Sequence, residues 1–346
     1  MRKTSELKII VPGICGPLAE IDSLKNNRLL NSWIKALSKA QCRPSESSFN
    51  EVVASIFKLN TTADIPSACF TLMANDMFDP SLHYMHADPV HLRADMDQAV
   101  LTSSADLNIK NDESISLCER LNQHFMQDGL TFFLLNKDQW FVSSKDKIAL
   151  STTPLVDATG RNVNFIFPAG KDSVYWKKML TEAQMLMHSH EVNTVRESAG
   201  LLSINSLWFH GCGEMKVIDN CEVSSLCSDH DMLKGLAGQL KCDHMKTPDF
   251  VNDYLDYLLS CKNASLNVLH LAELEHLTNY TDTSLWLEQL AQILEFWIYP
   301  ILKHANKNNM RVILNSCNER EYTFSNYDFL KFWRKSKLEE HVNSYR

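Results

Sequence analysis

The pattern of hydrophobic and polar positions predicts alternating strands and helices at both ends of the chain. An apolar run over residues 7–11 stops at Pro12-Gly13 and predicts a buried strand. Helical spacing follows over 29–37 and 49–59. From residue 175 onward the pattern predicts strands over 206–209, 266–271 and 311–314, and helices over 175–188, 231–240, 248–259 and 285–305. This order of elements is typical of an α/β domain.

The middle of the chain has a different pattern, in which short strands surround one helix. Strands are predicted over 90–95, 99–103 and 163–167, and a helix is predicted over 114–125. Residues 131–135 and 139–143 alternate on either side of a polar turn, which is typical of a β-hairpin. We therefore expect an α/β core interrupted by a smaller inserted α+β lobe. The core then comprises residues 1–83 and, after a linking helix, 176–346, and the lobe comprises 84–175.

Composition and charge exclude several classes of protein. The 346-residue chain is 45% hydrophobic and 22% charged, as is ordinary for a globular protein, and its net charge of −8 disfavours nucleic acid as a partner. One basic stretch, which we interpret as a solvated helix face, contains Lys331, Phe332, Trp333, Arg334, Lys335 and Lys337. No apolar stretch has the length of a membrane span or a signal peptide. Ten dispersed cysteines then favour a reducing cytoplasm.

Two glycine loops follow predicted strands. The first, over residues 12–17, matches neither GxGxxG nor a Walker A sequence, and its two prolines remove N–H donors, so we favour a structural turn. The second, over 205–213, has the position of a ligand loop at a sheet edge. A turn packed by Trp208 is an equal alternative for this second loop.

Two groups of metal-binding residue types give only weak signals. The first lacks a CxxC pair and an HExxH sequence, so we favour apolar thiols over a zinc site for His210, Cys212, Cys221, Cys227, His230, Cys242 and His244. The second follows the strand predicted over 266–271 and contains His270, Glu273, Glu275 and His276. These residues would suit a metal, acid–base chemistry or a solvated loop. We assign no metal ligand.

The segment from Asp88 to Asp95 concentrates two carboxylates, an imidazole and a guanidinium in eight residues. The alternation of a strand places Val90, Leu92 and Ala94 on one face and His91, Arg93 and Asp95 on the other. We favour a buried structural ion pair, in which Asp88 or Asp95 clamps Arg93. The alternative is an exposed His91–Arg93 pair, which would suit a phosphate or carboxylate.

Several segments resemble a bacterial family of cofactor-independent phosphoglycerate mutase-like proteins, also labelled Rpf-type regulatory proteins. They are residues 11–17, 87–95, 182–186, 190–193 with Arg196, 200–201, 205–209 and 332–334. More distantly, the layout is similar to that of archaeal-type cofactor-independent phosphoglycerate mutases of the alkaline phosphatase superfamily. The resemblance covers most of the chain and implies an alkaline-phosphatase-like α/β core that is split by an inserted lobe.

The departures from this superfamily concern its chemistry. The superfamily uses two metal ions, a Ser or Thr nucleophile, and Asp and His ligands at strand ends. Here Pro12-Gly13 follow the first strand, Glu273, Glu275 and His276 follow a later one, and Asn315-Ser316-Cys317 follow the last. Two-metal phosphoryl transfer needs ligands that hold both ions. We therefore expect no cofactor and no mutase activity by that two-metal mechanism, and we assign no catalytic residue.

The expected function is that of a phosphoglycerate mutase-like protein that has lost two-metal catalysis and acts in regulation or in binding a phosphorylated metabolite. One alternative is an active cofactor-independent phosphoglycerate mutase or phosphatase with a divergent site, which would need a divalent metal. Another is a scaffold that binds only protein partners. Within the resembling segments, polar clustering predicts a site for a phosphorylated small molecule at His91, Arg93, Asn193, Arg196 and Asn205.

Overall fold

The computed structural model describes residues 6–16, 26–59, 64–95, 98–215, 218, 221–261, 265–279, 283–325 and 340–342. The basic stretch over 331–337 lies outside these residues. Contacts divide the chain into two units: unit 1 is Met1–Asn60 with Val217–Arg346, and unit 2 is Thr61–Lys216. None of the described helices combines the length and apolar character needed to cross a membrane.

The strands and helices alternate along most of the described chain. The strands are β1 (Glu6–Ile10), β2 (Gln41–Pro44), β3 (His83–Asp95), β4 (Gln98–Thr102), β5 (Leu130–Leu134), β6 (Trp140–Ser144), β7 (Ser206–His210), β8 (Val223–Cys227), β9 (Asp243–Met245), β10 (Leu266–His270), β11 (Arg311–Asn315) and β12 (Arg320–Phe324). The helices are α1 (Arg28–Lys39), α2 (Phe49–Phe57), α3 (Ser67–Ala74), α4 (Asn111–Phe125), α5 (Leu155–Ala158), α6 (Ser173–His188), α7 (Glu191–Ser198), α8 (Asp231–Leu240), α9 (Val251–Ser260), α10 (Thr283–Ile293) and α11 (Tyr299–Asn308).

Unit 1 is built on a seven-stranded sheet with the order β2-β12-β11-β1-β10-β8-β9 among the described strands. The run from β11 to β9 is parallel, and β12 is antiparallel to both of its neighbours. Ile10 pairs with His270 on one side and with Asn315 on the other. The central strands therefore end at the same level, which brings the residues that follow them to one edge of the sheet.

The buried residues in the core of unit 1 occupy the apolar positions that the sequence pattern predicts. Leu7 and Ile9 of β1 are fully buried, as are the apolar positions that share one face of α1: Leu30, Trp33, Ile34 and Leu37. The Asn27 side chain accepts a hydrogen bond from the Leu30 N–H at 3.0 Å, which satisfies one of the free donors at the start of α1. Burial of each large apolar side chain contributes about 1.5–3 kcal/mol.

The long helix predicted over 285–305 is confirmed as a continuous helical segment, within which a π-helical turn over Leu294–Ile298 joins α10 to α11. Pro300 has no N–H to donate to residue 296, and its ring would clash with that carbonyl in a regular helix. Widening the preceding turn relieves the clash, and the Tyr299 N–H accordingly reaches the Leu294 carbonyl five residues back.

Unit 2 contains an antiparallel sheet in which β3 is the central strand. The described order is β4-β3-β6-β5, and β7 also pairs with β3. The predicted hairpin is confirmed by β5 and β6. The strand predicted over 163–167 is wrong: Val163–Phe165 form a short 3₁₀ helix, in which the Asn164 N–H donates to the capping side chain of Asn162 at 3.1 Å. The α/β class with an inserted α+β unit is confirmed.

Unit 2 is larger than the lobe expected over 84–175. It extends to residue 216 because β7 pairs with β3 over five residues. It also includes α6, which we expected to link lobe and core. Trp176 and Ala183 of α6 lie in the same apolar cluster as Phe209 of β7, so this helix is part of the core of unit 2.

Candidate functional site

The carboxyl ends of β1, β8, β10 and β11 define the first candidate site, which we call the carboxyl edge of unit 1. Ligands of α/β proteins bind at this edge of a parallel sheet. The residues at or just after these strand ends are Pro12, Gly13, Ser228, Asp229, His230, His270, Asn315 and Ser316. The described part of this edge therefore carries hydroxyl, amide and imidazole groups and the exposed carboxylate of Asp229.

Two histidines pack together at this edge. The Ser228 hydroxyl accepts the His230 N–H at 3.0 Å and lies 3.1 Å from His270 Nδ1. The Phe49 ring covers both imidazoles, with centroid distances of 4.8 Å to His270 and 5.2 Å to His230. Burial lowers the pKa of His230 to about 4 and holds the pKa of His270 well below its ordinary value. Both rings are therefore neutral at pH 7. His230 Nδ1 and His270 Nε2 are buried and have no hydrogen-bond partner in the described part of the chain.

The residues after β11 are engaged in closing the turn to β12. The Asn315 side chain donates to Ser45 Oγ at 2.7 Å and accepts the Cys317 N–H at 2.8 Å. The Ser316 hydroxyl donates to the Arg320 carbonyl at 2.9 Å. These short polar side chains hold the loop through neutral hydrogen bonds.

The loop after β1 is also a tight turn. Gly13 has φ of +82°, and a Cβ built on it would lie 2.6 Å from the Leu274 carbonyl oxygen. The Gly13 carbonyl accepts the Trp286 indole N–H at 2.8 Å. These contacts support the structural turn that the sequence favoured for this loop.

The acidic residues predicted near the end of β10 do not form a ligand cluster with their neighbours. Glu273 and His276 are exposed, and Glu275 is half-buried. Within the described residues, the group of three or more His, Cys, Asp or Glu side chains with ligand atoms in mutual reach lies in unit 2 instead. The described carboxyl edge therefore does not fit the two-metal ligand set that the resemblance implies.

An open cavity of about 890 Å³ lies beside the ends of β2 and β12 in unit 1. Its charged lining consists of Arg43, Glu46, Glu51, Glu319 and Arg320. Nη1 of Arg320 is buried and has no hydrogen-bond partner among the residues that the structure describes. A guanidinium in this state is suited to an oxyanion, although three carboxylates also line the cavity.

The second candidate site, which we call the β3–β7 cluster, consists of His86, Asp88 and His210 in unit 2. His86 pairs directly with His210, and Asp88 lies two residues farther along the same face of β3. Asp88 Oδ2 is 2.8 Å from His210 Nε2 and 4.0 Å from His86 Nδ1. The imidazoles stack with centroids 4.4 Å apart and ring planes inclined by 6°. The backbone N–H of Trp140 donates to Asp88 Oδ1 at 3.0 Å.

Burial controls the ionisation of this cluster. It raises the pKa of Asp88 to about 6 and lowers the pKa of His210 to about 3. At pH 7 the neutral imidazole of His210 therefore donates to a carboxylate.

The buried Arg93 ion pair that the sequence favoured is wrong: Arg93 is exposed, and Asp88 bonds to His210. The side chain of Asp95 lies outside the described residues.

Two of the five predicted ligand residues make internal hydrogen bonds in the core of unit 2. The Asn193 amide donates to the carbonyls of Met187 and Ile204 at 2.7 and 2.8 Å, and it accepts the Ile204 N–H at 2.7 Å. Arg196 is 1% exposed and donates to three oxygens, in Glu113, Leu107 and Leu202. Both side chains therefore connect α7 to neighbouring segments of unit 2 through hydrogen bonds.

The other three predicted ligand residues lie along β3 and its neighbour. The Asn205 amide bonds to both the N–H and the carbonyl of Leu92, at 2.8 and 3.0 Å. His91 Nδ1 lies 2.8 Å from the Ser203 carbonyl. Arg93 is exposed on the same strand. The structure thus places all five residues in unit 2, and ligand binding by them stays a prediction.

Sequence reasoning missed the β3–β7 cluster as a set. Asp88 was assigned to Arg93, His210 was grouped with cysteines, and His86 was not singled out. The alternation of β3 pairs His86 with Asp88, but the addition of His210 depends on the pairing with β7. A search for alternating His-x-Asp in strands would have found the first two residues.

Comparisons with known proteins indicate a distant relationship to phosphoglycerate mutases. A 2,3-bisphosphoglycerate-independent phosphoglycerate mutase from Methanosarcina barkeri is 24% identical over 175 residues, which are 48% of this chain and 44% of that protein. Its counterpart from Methanosarcina acetivorans is 21% identical over 218 residues, 58% of this chain and 55% of that protein. The chain therefore spans about half the length of these curated relatives. No family model matches it.

A solved structure is similar in fold to most of this chain. The PH0037 protein from Pyrococcus horikoshii matches 94% of this chain and 88% of its own, with a TM-score of 0.50 and 13% identity. At this identity the match concerns the fold alone. The relationship to phosphoglycerate mutases rests on the sequence similarity to the Methanosarcina proteins.

Proposed function

We propose that this chain is a phosphoglycerate mutase-like pseudoenzyme that binds a phosphorylated metabolite in a regulatory role. The observation that carries the proposal is the composition of the carboxyl edge of unit 1. Two-metal phosphoryl transfer needs carboxylates and imidazoles that hold two ions about 4 Å apart beside a nucleophile. The described strand ends present Pro12-Gly13, Ser228-Asp229-His230, His270 and Asn315-Ser316. Among the described residues, the group of three or more ligand side chains in mutual reach lies in unit 2 and not at these strand ends.

Binding of a phosphorylated metabolite is supported by two features. The relatives with sequence similarity are named as phosphoglycerate mutases, whose substrate carries a phosphate and a carboxylate. In addition, Arg320 lines a cavity at the ends of β2 and β12, and its buried Nη1 has no hydrogen-bond partner within the described residues. Because glutamates also line this cavity, we expect the oxyanion of the ligand to bind at the Arg320 guanidinium and not at other parts of the cavity wall. The sequence-based alternative is the exposed Arg93 in unit 2.

A cytoplasmic location is part of the proposal. All ten cysteines are free thiols, and burial raises the pKa of several of them, including Cys15 and Cys227 to about 12. Thiols in this state are protonated and persist in a reducing compartment. The regulatory role is what the resemblance to Rpf-type proteins implies.

The test combines turnover with binding in the purified full-length chain. With 3-phosphoglycerate and added Mn²⁺, we expect no 2-phosphoglycerate, but a saturable rise in melting temperature. At about 100 times the Kd, binding contributes about 2.7 kcal/mol, a shift of several degrees. Arg320→Gln is expected to abolish the shift, and Arg93→Gln is the matched control. Formation of 2-phosphoglycerate would contradict the loss of catalysis.

The two variants also separate the candidate binding surfaces. If Arg93→Gln abolishes the shift and Arg320→Gln preserves it, the ligand binds in unit 2 as the sequence predicted. If 3-phosphoglycerate and inorganic phosphate both leave the melting temperature unchanged, the proposal that the chain binds a phosphorylated metabolite is wrong. A regulatory role would then have to act through a protein partner.

A further inference from the structure

We propose that the β3–β7 cluster binds one divalent transition-metal ion, with Zn²⁺ as its best-suited occupant, through His86, Asp88 and His210. The cluster belongs to unit 2 and the strand ends that carry the proposed function belong to unit 1, so the two proposals rest on different residues. Two imidazoles and one carboxylate form a donor set that suits zinc and related transition metals.

The donor atoms are already close enough to share an ion. All three lie within 4.8 Å of one another. Zinc binds imidazole nitrogen and carboxylate oxygen at about 2.0–2.2 Å, so donors around one ion are about 3–3.6 Å apart. The separations of 2.8 and 4.0 Å from Asp88 Oδ2 to the two imidazoles bracket that range.

Coordination requires a rotation of at least one ring. The two imidazoles stack with nearly parallel planes, and the lone pairs of parallel stacked rings do not meet at one point. Turning either ring about its Cβ–Cγ bond removes this obstacle, since χ2 of histidine has a broad energy minimum. The ion also replaces the proton that His210 Nε2 and Asp88 Oδ2 now share.

The charge of the cluster favours a cation. Asp88 is only 4% exposed, and a carboxylate removed from water is costly unless an opposite charge compensates it. Within the described part of the chain, the salt-bridge contacts of Asp88 are to His86 and His210, and no lysine or arginine contributes. A divalent ion supplies the missing positive charge, and neutral imidazoles are the form that binds metals.

The surroundings hold the ligands in place. The Trp140 N–H fixes Asp88 Oδ1, which leaves Oδ2 directed at the imidazoles. His86 and Asp88 lie on β3, and His210 lies on the directly paired β7, so paired strands fix all three backbones. Ligands held in this way need little reorganisation on binding. A purely structural Asp88–His210 pair would not require a second imidazole whose Nδ1 lies 4.0 Å from the same oxygen.

The experiment uses the tag-free full-length chain after treatment with a chelator. We expect isothermal titration with Zn²⁺ to give one tight site per chain. His86→Gln and His210→Gln are each expected to weaken binding by about 100-fold. His83→Gln is the matched control because His83 lies exposed on the same strand, and it is expected to bind as tightly as the parent chain.

A measurement without substitutions covers the case in which a variant does not fold. X-ray absorption of the Zn²⁺-loaded parent chain is expected to show two imidazoles and oxygen donors, with no sulfur. Absence of tight binding to the parent chain would overturn the proposal. So would sulfur ligation, or parent-like affinity in a folded His86→Gln/His210→Gln double variant.

Discussion

Replacing Arg196 with methionine is the sharpest test of how unit 2 is held together. The side chain is 1% exposed, and its guanidinium donates to Glu113 Oε2 at 2.7 Å, to the Leu202 carbonyl at 2.8 Å and to the Leu107 carbonyl at 2.5 Å. Methionine keeps much of the aliphatic length and removes every donor. We therefore expect a large loss of stability with little change in packing volume.

The magnitude follows from what the substitution leaves behind. Removing one partner of a buried ion pair costs about 3–5 kcal/mol, and a buried carbonyl without a donor costs about 1–3 kcal/mol. Glu113 keeps one donor, the Lys110 N–H at 2.8 Å, and its side chain is 11% exposed, so water offsets part of the loss. We expect the free energy of unfolding of unit 2 to fall by about 3–5 kcal/mol.

Equilibrium urea unfolding followed by hydrogen-exchange mass spectrometry measures this quantity. Peptides from residues 107–125 report on unit 2 separately from unit 1. Arg93→Met is the control, because Arg93 is exposed and its loss is expected to change stability by at most about 0.5 kcal/mol. A loss below about 1 kcal/mol for Arg196→Met, or equal losses for both variants, would refute the reasoning.

Two further predictions concern unit 1. Gly13→Ala is expected to lower stability by at least about 2 kcal/mol in thermal unfolding, because it combines a φ of +82° with a contact of 2.6 Å to the Leu274 carbonyl. Gly129→Ala shares the positive φ but meets nothing within 4 Å, so equal losses would contradict the steric argument. Burial lowers the pKa of His230 in the folded chain from 6.5 to about 4. As the pH falls, this imidazole is therefore protonated in the unfolded chain before it is protonated in the folded chain. Stability is then lost between pH 6.5 and about 4, by up to about 3 kcal/mol, and urea unfolding of His230→Gln is expected to show a correspondingly shallower decline. An unchanged pH dependence would contradict this assignment.

Local periodicity was sufficient to predict much of unit 1. The helix predicted over 231–240 coincides with α8, and the strand over 311–314 lies within β11. In these segments the buried face is set by residues three or four positions apart in a helix, or by a continuous apolar run in a strand. Such signals lie entirely within a short window of sequence.

Elements whose stability comes from distant partners were not predicted. All four residues of β2 are exposed, so its sequence contains no apolar pattern. It becomes a strand by pairing with β12, which follows nearly 280 residues later. The boundary of unit 2 was misplaced for the same reason, because the pairing of β7 with β3 cannot be inferred from either segment alone.

Asp88 illustrates how long-range register decides the chemistry of a site. Alternation correctly implied that side chains two positions apart in β3 share a face, but it does not determine what covers that face. The partner of Asp88 is 122 residues away in sequence, and it reaches the carboxylate because His210 is paired with His86. A register shift of one residue would turn His210 to the opposite face and leave the buried carboxylate without its imidazole donor. The candidate metal site therefore depends on a strand pairing that no motif within residues 88–95 contains.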